Sequence, residues 1–380
     1  MAQVELIATA AFGLESVVAR ELKQLGYKNL TVENGKVTFA ADETAICRSN
    51  LWLRTADRLL LKMGQFKATS FEELFQGTKA VPWSEWLPKN ACFPVNGKSI
   101  RSTLYSVPDC QAIVKKAIVE KMKEKYHLNW FPEDGPRYTV EVALLKDEVT
   151  LTIDTSGAGL HKRGYRKLVG EAPLRETLAA AMILLSHWTS NRILWDLFCG
   201  SGTIPIEAAL IGRNIAPGLK RDFAAENWPN IPSNKWQRAR EEALDMARFN
   251  EPMDIRGTDI DSDVLSLARY HAKQAGVADV IHWQRQDFRD FSNRYKYGCI
   301  ITNPPYGERL GELKEAEQIY KELGRVLAPL DTWSFFILTS HKDFEQLFNR
   351  PATRRRKLYN GRIECHYYQY FGPRPPRQDR

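Results

Sequence analysis

Ile193-Leu194-Trp195-Asp196-Leu197-Phe198-Cys199-Gly200-Ser201-Gly202-Thr203 runs from an unbroken apolar stretch into a pair of glycines. Residues 193–198 lack the alternation of a half-exposed strand and read as a strand buried on both faces. Gly200 and Gly202 make a tight turn, and Ile204-Pro205-Ile206-Glu207-Ala208-Ala209-Leu210-Ile211 reads as the helix that follows. This order puts bare backbone at the carboxyl edge of a parallel sheet, where open α/β folds hold nucleotides. The dinucleotide fingerprint is absent, because Gly-x-Gly is followed by Thr203-Ile204-Pro205 and no third glycine. A turn that needs no pyrophosphate contact suits a nucleoside with a sulfonium tail, S-adenosylmethionine. An ordinary strand-to-helix turn would look the same on this stretch alone.

Cys299-Ile300-Ile301-Thr302-Asn303-Pro304-Pro305-Tyr306-Gly307-Glu308-Arg309 decides between them. Another apolar strand runs into Asn-Pro-Pro-Tyr. Each proline fixes its own φ and denies the helical region to the residue before it, so the loop is stiff. Pro-Pro could merely end a strand. Beside a glycine turn in the same expected sheet, a stiff loop carrying an amide and an aromatic ring reads instead as a reaction site.

At 380 residues the chain is long enough for two or three domains at ~150 residues each. Its 43% apolar and 26% charged residues are ordinary for a globular protein. The net charge of +8 favours an anionic partner. Cys47, Cys92, Cys110, Cys199, Cys299 and Cys365 form no Cys-x-x-Cys pair and read as reduced thiols of a cytoplasmic protein. The histidines fall at no metal-ligand spacing, so no metal is expected. No stretch approaches the roughly 20 apolar residues that cross a bilayer. The N-terminus, interrupted by Glu5, Glu15 and Arg20, reads as part of the fold and not as a signal peptide.

Ahead of the glycine turn the pattern is α+β. Residues 4–10 read as a strand, 14–25 as a helix ended by Gly26, and 30–40 as a hairpin about Asn34-Gly35. Residues 44–56 look helical, 58–66 strand-like, and Ser70 with Glu73 forms a capping box. Residues 91–101 read as a strand pair turning at Asn96-Gly97, 107–126 as a long lysine-bearing helix, and 138–153 as a hairpin across Lys146-Asp147-Glu148. From Pro173 strands and helices alternate. A helix over 174–188 leads into the glycine-turn strand. After an unusually long connection, 213–253, come strands at 254–260 and 280–285, a helix at 263–275, the 299–302 strand, a helix at 316–327 and a strand at 333–338. Residues 354–370 read as a terminal hairpin about Asn360-Gly361, and the Pro- and Arg-rich tail from Gly372 as frayed.

Successive strand ends then carry Asp196 with Gly200 and Gly202, next Asp259, next Asp287-Phe288, and last Asn303 to Tyr306. An acid at the second strand end can accept both ribose hydroxyls. The 213–253 connection accounts for its long separation from the glycines. Asp287 can accept from an adenine amine, with Phe288 as a ring wall. Singly, each Asp also reads as a helix N-cap or a solvated loop residue; together, in order, they read as a cofactor site. Methyl transfer from a sulfonium needs the acceptor lone pair held on the S–CH₃ axis in a dry pocket. The exocyclic amine of a base is a weak nucleophile because its lone pair is delocalised into the ring. The Asn303 oxygen and the Pro304 carbonyl could accept its two N–H bonds, with Pro305 stiffening the loop and Tyr306 stacking on the base. A base inside a duplex cannot reach such a pocket, so a flipped or single-stranded nucleotide is implied.

The chain resembles the THUMP-domain RNA guanine-N2 methyltransferases, most closely the bacterial 23S ribosomal RNA group, the RlmL/YpsC type. The resemblance rests on Asp196 to Thr203, Asn303 to Arg309, His161-Lys162-Arg163-Gly164-Tyr165-Arg166, and Ala172-Pro173-Leu174-Arg175-Glu176-Thr177. The long 213–253 connection, starting at Ala216-Pro217-Gly218, also looks like the family. Asn-Pro-Pro-Tyr alone is shared with N6-adenine and protein glutamine methyltransferases; the extension to Gly-Glu-Arg is more specific. The resemblance implies a ferredoxin-like subdomain at 1–43, a THUMP RNA-binding domain at 44–155, a basic linker at 156–172 and a Rossmann-like class I methyltransferase domain at 173–380. It implies S-adenosylmethionine held by Asp196, Phe198, Cys199, Gly200, Gly202, Thr203, Asp259, Ile260, Asp287, Phe288 and Asn303, and N2-methylation of guanosine in 23S ribosomal RNA. A related family of the same architecture methylates tRNA, and these motifs do not separate the two. For RNA contact the sequence offers His161, Lys162, Arg163, Tyr165, Arg166 and Lys167, where an aromatic among cations suits bases and phosphates, although a solvated linker would also explain the glycines. Lysines 115–125 and Arg354-Arg355-Arg356-Lys357 are further candidates, or solvated faces.

Overall fold

A computed structural model describes residues 3–166, 174–307 and 312–376. Lys167, Gly170, Ala172-Pro173, Glu308-Arg309 and residues 377–380 of the tail lie outside them. The chain divides into two compact units. One comprises 1–10, 19–160 and 222–242; the other comprises 11–18, 161–221 and 243–380.

The first unit is built on β1 (Gln3–Ala10), α1 (Glu15–Gln24, whose first turn belongs to the second unit), β2 (Thr31–Glu33), β3 (Lys36–Asp42), α2 (Thr44–Trp52), β4 (Ala56–Lys67), α3 (Phe71–Ala80), β5 (Val95–Ile100), α4 (Val107–Tyr126), β6 (Val140–Leu145) and β7 (Glu148–Asp154). Its strands form one sheet in the order β2-β3-β1-β4-β7-β6-β5. The hairpins at Asn34-Gly35 and Lys146-Asp147 form as their turn residues dictate, and Ser70 caps α3 with reciprocal 3.2 Å bonds to Glu73.

Asn96-Gly97 does not turn. It lies inside β5, which pairs in parallel with β6 across the α4 crossover. Gly97 is there for another reason: a Cβ on it would come within 3.0 Å of Val107 and 3.1 Å of Gln111, so the missing side chain lets α4 approach the sheet. The long connection expected at 213–253 also serves this unit. Within it, Trp228 stacks on Tyr138 at 4.5 Å, and Glu242, on α7 (Ser233–Asp245), bonds Arg48 at 2.7 Å.

The second unit holds α5 (Glu176–Leu185), β8 (Leu194–Asp196), α6 (Thr203–Gly212), β9 (Ile255–Asp259), α8 (Ser262–Ala275), β10 (Ile281–Arg285), β11 (Cys299–Thr302), α9 (Glu312–Leu327), β12 (Ser334–Thr339), α10 (Phe344–Leu347), β13 (Arg354–Asn360) and β14 (Ile363–Tyr370). The order is β10-β9-β8-β11-β12-β14-β13, parallel through β12, with β14 antiparallel to β12 and β13 antiparallel to β14. The unbroken apolar runs follow from burial on both faces. Leu194, Cys299, Ile301, Phe336 and Leu338 enter one core layer, which includes Leu178 of α5 and Ile206 of α6; Trp195, Ile300, Phe335 and Ile337 enter the other, which includes Tyr320 and Leu323 of α9. Strand order reverses between β8 and β11, and the carboxyl ends at such a switch point open a crevice. This is a Rossmann-like, doubly wound architecture with an antiparallel hairpin at one edge.

Candidate active site

A cavity of about 970 Å³ opens at those carboxyl ends, lined among others by Phe198, Asp259, Ile260, Asp287, Phe288 and the loop from Asn303 to Gly307. A larger one, about 1460 Å³, touches Ile193, Asp254 and Ser334, where β8, β9 and β12 begin. It therefore lies at the opposite sheet edge from the glycine turn.

The turn between β8 and α6 needs its glycines for different reasons. Gly200 sits at φ +50° with open space where a Cβ would point, and its amide donates to Asp259 Oδ2 at 2.9 Å. Gly202 sits at φ +85°, and a Cβ there would lie 2.6 Å from the Trp283 ring. Asp259 also accepts the Asp261 amide at 3.1 Å, which fixes its carboxylate at the cavity wall. The Phe198 and Phe288 rings meet at 4.9 Å on the apolar side. Asp287 lines the cavity as expected, yet it also caps a short turn through the Arg289 amide and pairs with the Arg289 guanidinium at 2.7 Å.

The sequence predicts Asp196, Cys199 and Thr203 as cofactor contacts. The structure buries all three, at 1%, 6% and 4% exposure, beneath the turn and outside the cavity lining. Asp196 Oδ1 accepts from the Phe198 amide at 3.2 Å and from the Thr302 hydroxyl at 2.6 Å, so one carboxylate ties the glycine turn to the strand carrying Asn303. Burial pushes its pKa up to about 7, against the two hydrogen bonds that lower it, with Asp259 adding a smaller rise. The Cys199 thiol is raised well above its ordinary value by burial.

Asn303 stands at the end of β11. Its Oδ1 accepts the Tyr306 hydroxyl at 2.5 Å, and the Pro305 carbonyl accepts the Tyr320 hydroxyl at 2.6 Å, so both halves of the loop are held from within. Tyr306 is only partly exposed and packs on the core layer, and burial raises its pKa. Sequence reasoning missed the far wall: Arg175, Gln286, Arg289, Asn360, Gly361 and Ile363 also line the cavity. Asn360-Gly361 carried a signal, but as a hairpin turn and not as a cavity wall.

The basic segment is not the exposed strip that its composition suggests. Arg163 and Tyr165 are 3% and 2% exposed. The Tyr165 hydroxyl donates to the fully buried Glu207 of α6 at 3.1 Å, with the Arg163 guanidinium 3.5 Å from the same carboxylate. Arg166 pairs with Glu176 at 3.1 Å and bonds the Thr203 hydroxyl. Burial, and then the surrounding cations, lower the His161 pKa to about 4, so it is neutral near pH 7. Of the five, Lys162 alone is exposed. The segment clamps the helix behind the glycine turn, and a ring locked at 2% exposure cannot stack on a base.

Like Asp196, Cys199 and Thr203, Gly200 and Gly202 fall outside the lining. What does line the cavity fits the nucleoside of S-adenosylmethionine, with the Asp259 carboxylate at the second strand end for a ribose and the paired Phe198 and Phe288 rings for a purine. Among the described residues no group of His, Cys, Asp or Glu could hold a metal ion, and no helix is long and apolar enough to cross a membrane.

Comparison with known proteins agrees. The model of the RMKL-like methyltransferase domain matches residues 163–369, that of the RlmL ferredoxin-like domain 5–60, and that of the THUMP domain 68–154. The chain is 52% identical over 381 residues to "Putative RNA methyltransferase YpsC" of Bacillus subtilis (strain 168), covering 100% of this chain and 99% of that one. It is 32% identical over 379 residues to the ribosomal RNA large subunit methyltransferase K/L of Shewanella frigidimarina (strain NCIMB 400), covering 96% of this chain and 52% of that protein. The crystal structure of SMU.472 complexed with SAH superposes with a TM-score of 0.94 at 46% identity, covering 99% of this chain and 100% of the other. The chain is a member of the RMKL-like methyltransferase family, with a ferredoxin-like and a THUMP domain ahead of its catalytic domain.

Proposed function

We propose that the chain transfers the methyl group of S-adenosylmethionine to N2 of a guanosine in 23S ribosomal RNA, with the THUMP part, matched at 68–154 within the expected 44–155, binding the RNA. The reading rests on one observation: a doubly braced Asn303-Pro304-Pro305-Tyr306 loop shares a cavity with Asp259 and the Phe198 and Phe288 rings. The relatives named for RNA and ribosomal RNA methylation support the substrate class.

S-adenosylmethionine, when bound, supplies a methyl group on a sulfonium, which needs no further activation. The chain's own work is orientation. The Asn303 oxygen has two lone pairs; the Tyr306 hydroxyl takes one and leaves the other for a base N–H. The Pro304 carbonyl is assigned the second N–H. Both bonds favour a pyramidal amine whose lone pair faces the donor. No strong base is required, because the methylated amine is acidic enough to release its proton to water.

Tritiated S-adenosylmethionine, matched 23S and tRNA transcripts, and nucleoside analysis of the labelled RNA test this. N2-methylguanosine from 23S transcript is expected. The same nucleoside from tRNA alone would replace the substrate, and N6-methyladenosine would overturn the acceptor.

A further inference from the structure

Phe12 is 58% exposed, large and apolar, yet held in place. Gly13, at φ +89°, lies so close to β13 that a Cβ would sit 2.6 Å from the Lys357 carbonyl, and its amide donates to Glu15 at 2.9 Å. The Phe12 ring meets Tyr359 of β13 edge-on, with centroids 6.2 Å apart. The next residue along the strand, Asn360, lines the cavity together with Gly361 and Ile363. β13 is an edge strand of its sheet. Exposed Phe12 and half-buried Tyr359 thus sit one strand residue away from the acceptor cavity.

Its surroundings are cationic. The hairpin carries Arg354, Arg355, Arg356, Lys357 and Arg362 against one carboxylate, Glu364. Glu364 pairs with Lys357 at 2.5 Å, and Glu345 approaches Arg355 at 3.7 Å. Arg354 and Arg362 are exposed and make no ion pair among the described residues.

Flipping a base into a pocket leaves its neighbours without a stacking partner. Aromatic faces with flanking cations bind such unstacked nucleotides without regard to sequence. We propose that Phe12 and Tyr359 form a stacking platform for the nucleotide next to the flipped base, with Arg354 and Arg362 on the adjoining phosphates. This rests on the RNA methyltransferase reading above, and it names where the strand leaves the cavity.

The test uses the full chain and a fluorescent 23S fragment that the wild type methylates. Phe12→Leu keeps an apolar side chain but removes the π face; Phe12→Trp restores one. Stacking worth ~1–3 kcal/mol per base makes Phe12→Leu bind RNA roughly 5- to 150-fold more weakly. Its KM for RNA should rise while kcat at saturating RNA and the Kd for S-adenosylmethionine stay put, and Phe12→Trp should bind as the wild type does. Arg354→Gln with Arg362→Gln should flatten the dependence of affinity on salt. Phe12→Leu binding RNA as tightly as the wild type would overturn the platform, as would an equal loss in Phe12→Trp. If wild type labels RNA and Phe12→Leu is indifferent, the platform alone falls; if wild type labels no RNA, the reading beneath it falls too.

Discussion

Replacing Asp196 by asparagine isolates the one buried carboxylate that joins the two halves of the site. Asparagine keeps an oxygen to accept from Thr302 and Phe198, so the bracing survives and the titration disappears. In the folded chain burial lifts the Asp196 pKa from its ordinary 3.8 to about 7. A carboxylate raised on folding binds its proton more tightly in the folded than in the unfolded chain. Its cost to stability is therefore absent below pH ~4, grows as pH rises through the folded pKa, and is complete about one unit above it. Three units correspond to ~4 kcal/mol, of which ~2 kcal/mol falls between pH 5 and 7 and ~3 kcal/mol between pH 5 and 8.5. Urea unfolding of wild type and Asp196→Asn, followed at several pH values from 5 to 8.5, reads this directly, because groups not coupled to Asp196 cancel in the difference and the Asp259 contribution is the smaller one. The variant should gain on the wild type by ~3 kcal/mol across that range. A difference that stays constant with pH would refute the reasoning, since it would mean Asp196 titrates alike in both states.

Three further outcomes follow from the geometry. Gly202→Ala forces a side chain at φ +85° into the Trp283 ring; it should destabilise the chain by ~1–3 kcal/mol and weaken S-adenosylmethionine binding in calorimetry. Glu207→Ala leaves Arg163 and Tyr165 facing a buried gap. Thermal unfolding should show a loss of ~3–5 kcal/mol, and an RNA affinity measured below the transition should be little changed. Tyr306→Phe removes the hydroxyl that holds Asn303; a hydrogen bond worth ~0.5–1.5 kcal/mol should lower kcat roughly 2- to 10-fold, with the Kd for S-adenosylmethionine unaltered.

The catalytic sheet was legible because its strands are buried on both faces, so apolar runs such as 299–302 and the glycine turn stand out without knowledge of the fold. The Asn303 to Tyr306 loop was legible because paired prolines restrict the backbone whatever surrounds them. What was hidden depends on partners far away in the chain. Asn96-Gly97 reads as a turn locally, yet parallel pairing with β6 and the approach of α4 override that preference. The segment around Tyr165 reads as an RNA contact or a solvated linker because Glu207, the buried partner of Arg163 and Tyr165, lies some forty residues on. Asp196 is in the right motif but serves as a brace, a distinction that depends on Thr302 lying opposite it on β11. The Asn360 wall had no signal beyond its turn, because folding brings a terminal hairpin alongside the Asn303 loop.

The central claim is that Asn303 orients the acceptor amine. It is tested most directly by single-turnover methyl transfer to a 23S transcript, with wild type and Asn303→Ala each saturated in RNA and in tritiated S-adenosylmethionine. Losing a preorganised acceptor of this kind should slow transfer ~100- to 1000-fold, with N2-methylguanosine as the wild-type product and both binding constants nearly unchanged. Transfer by Asn303→Ala at the wild-type rate would contradict the account.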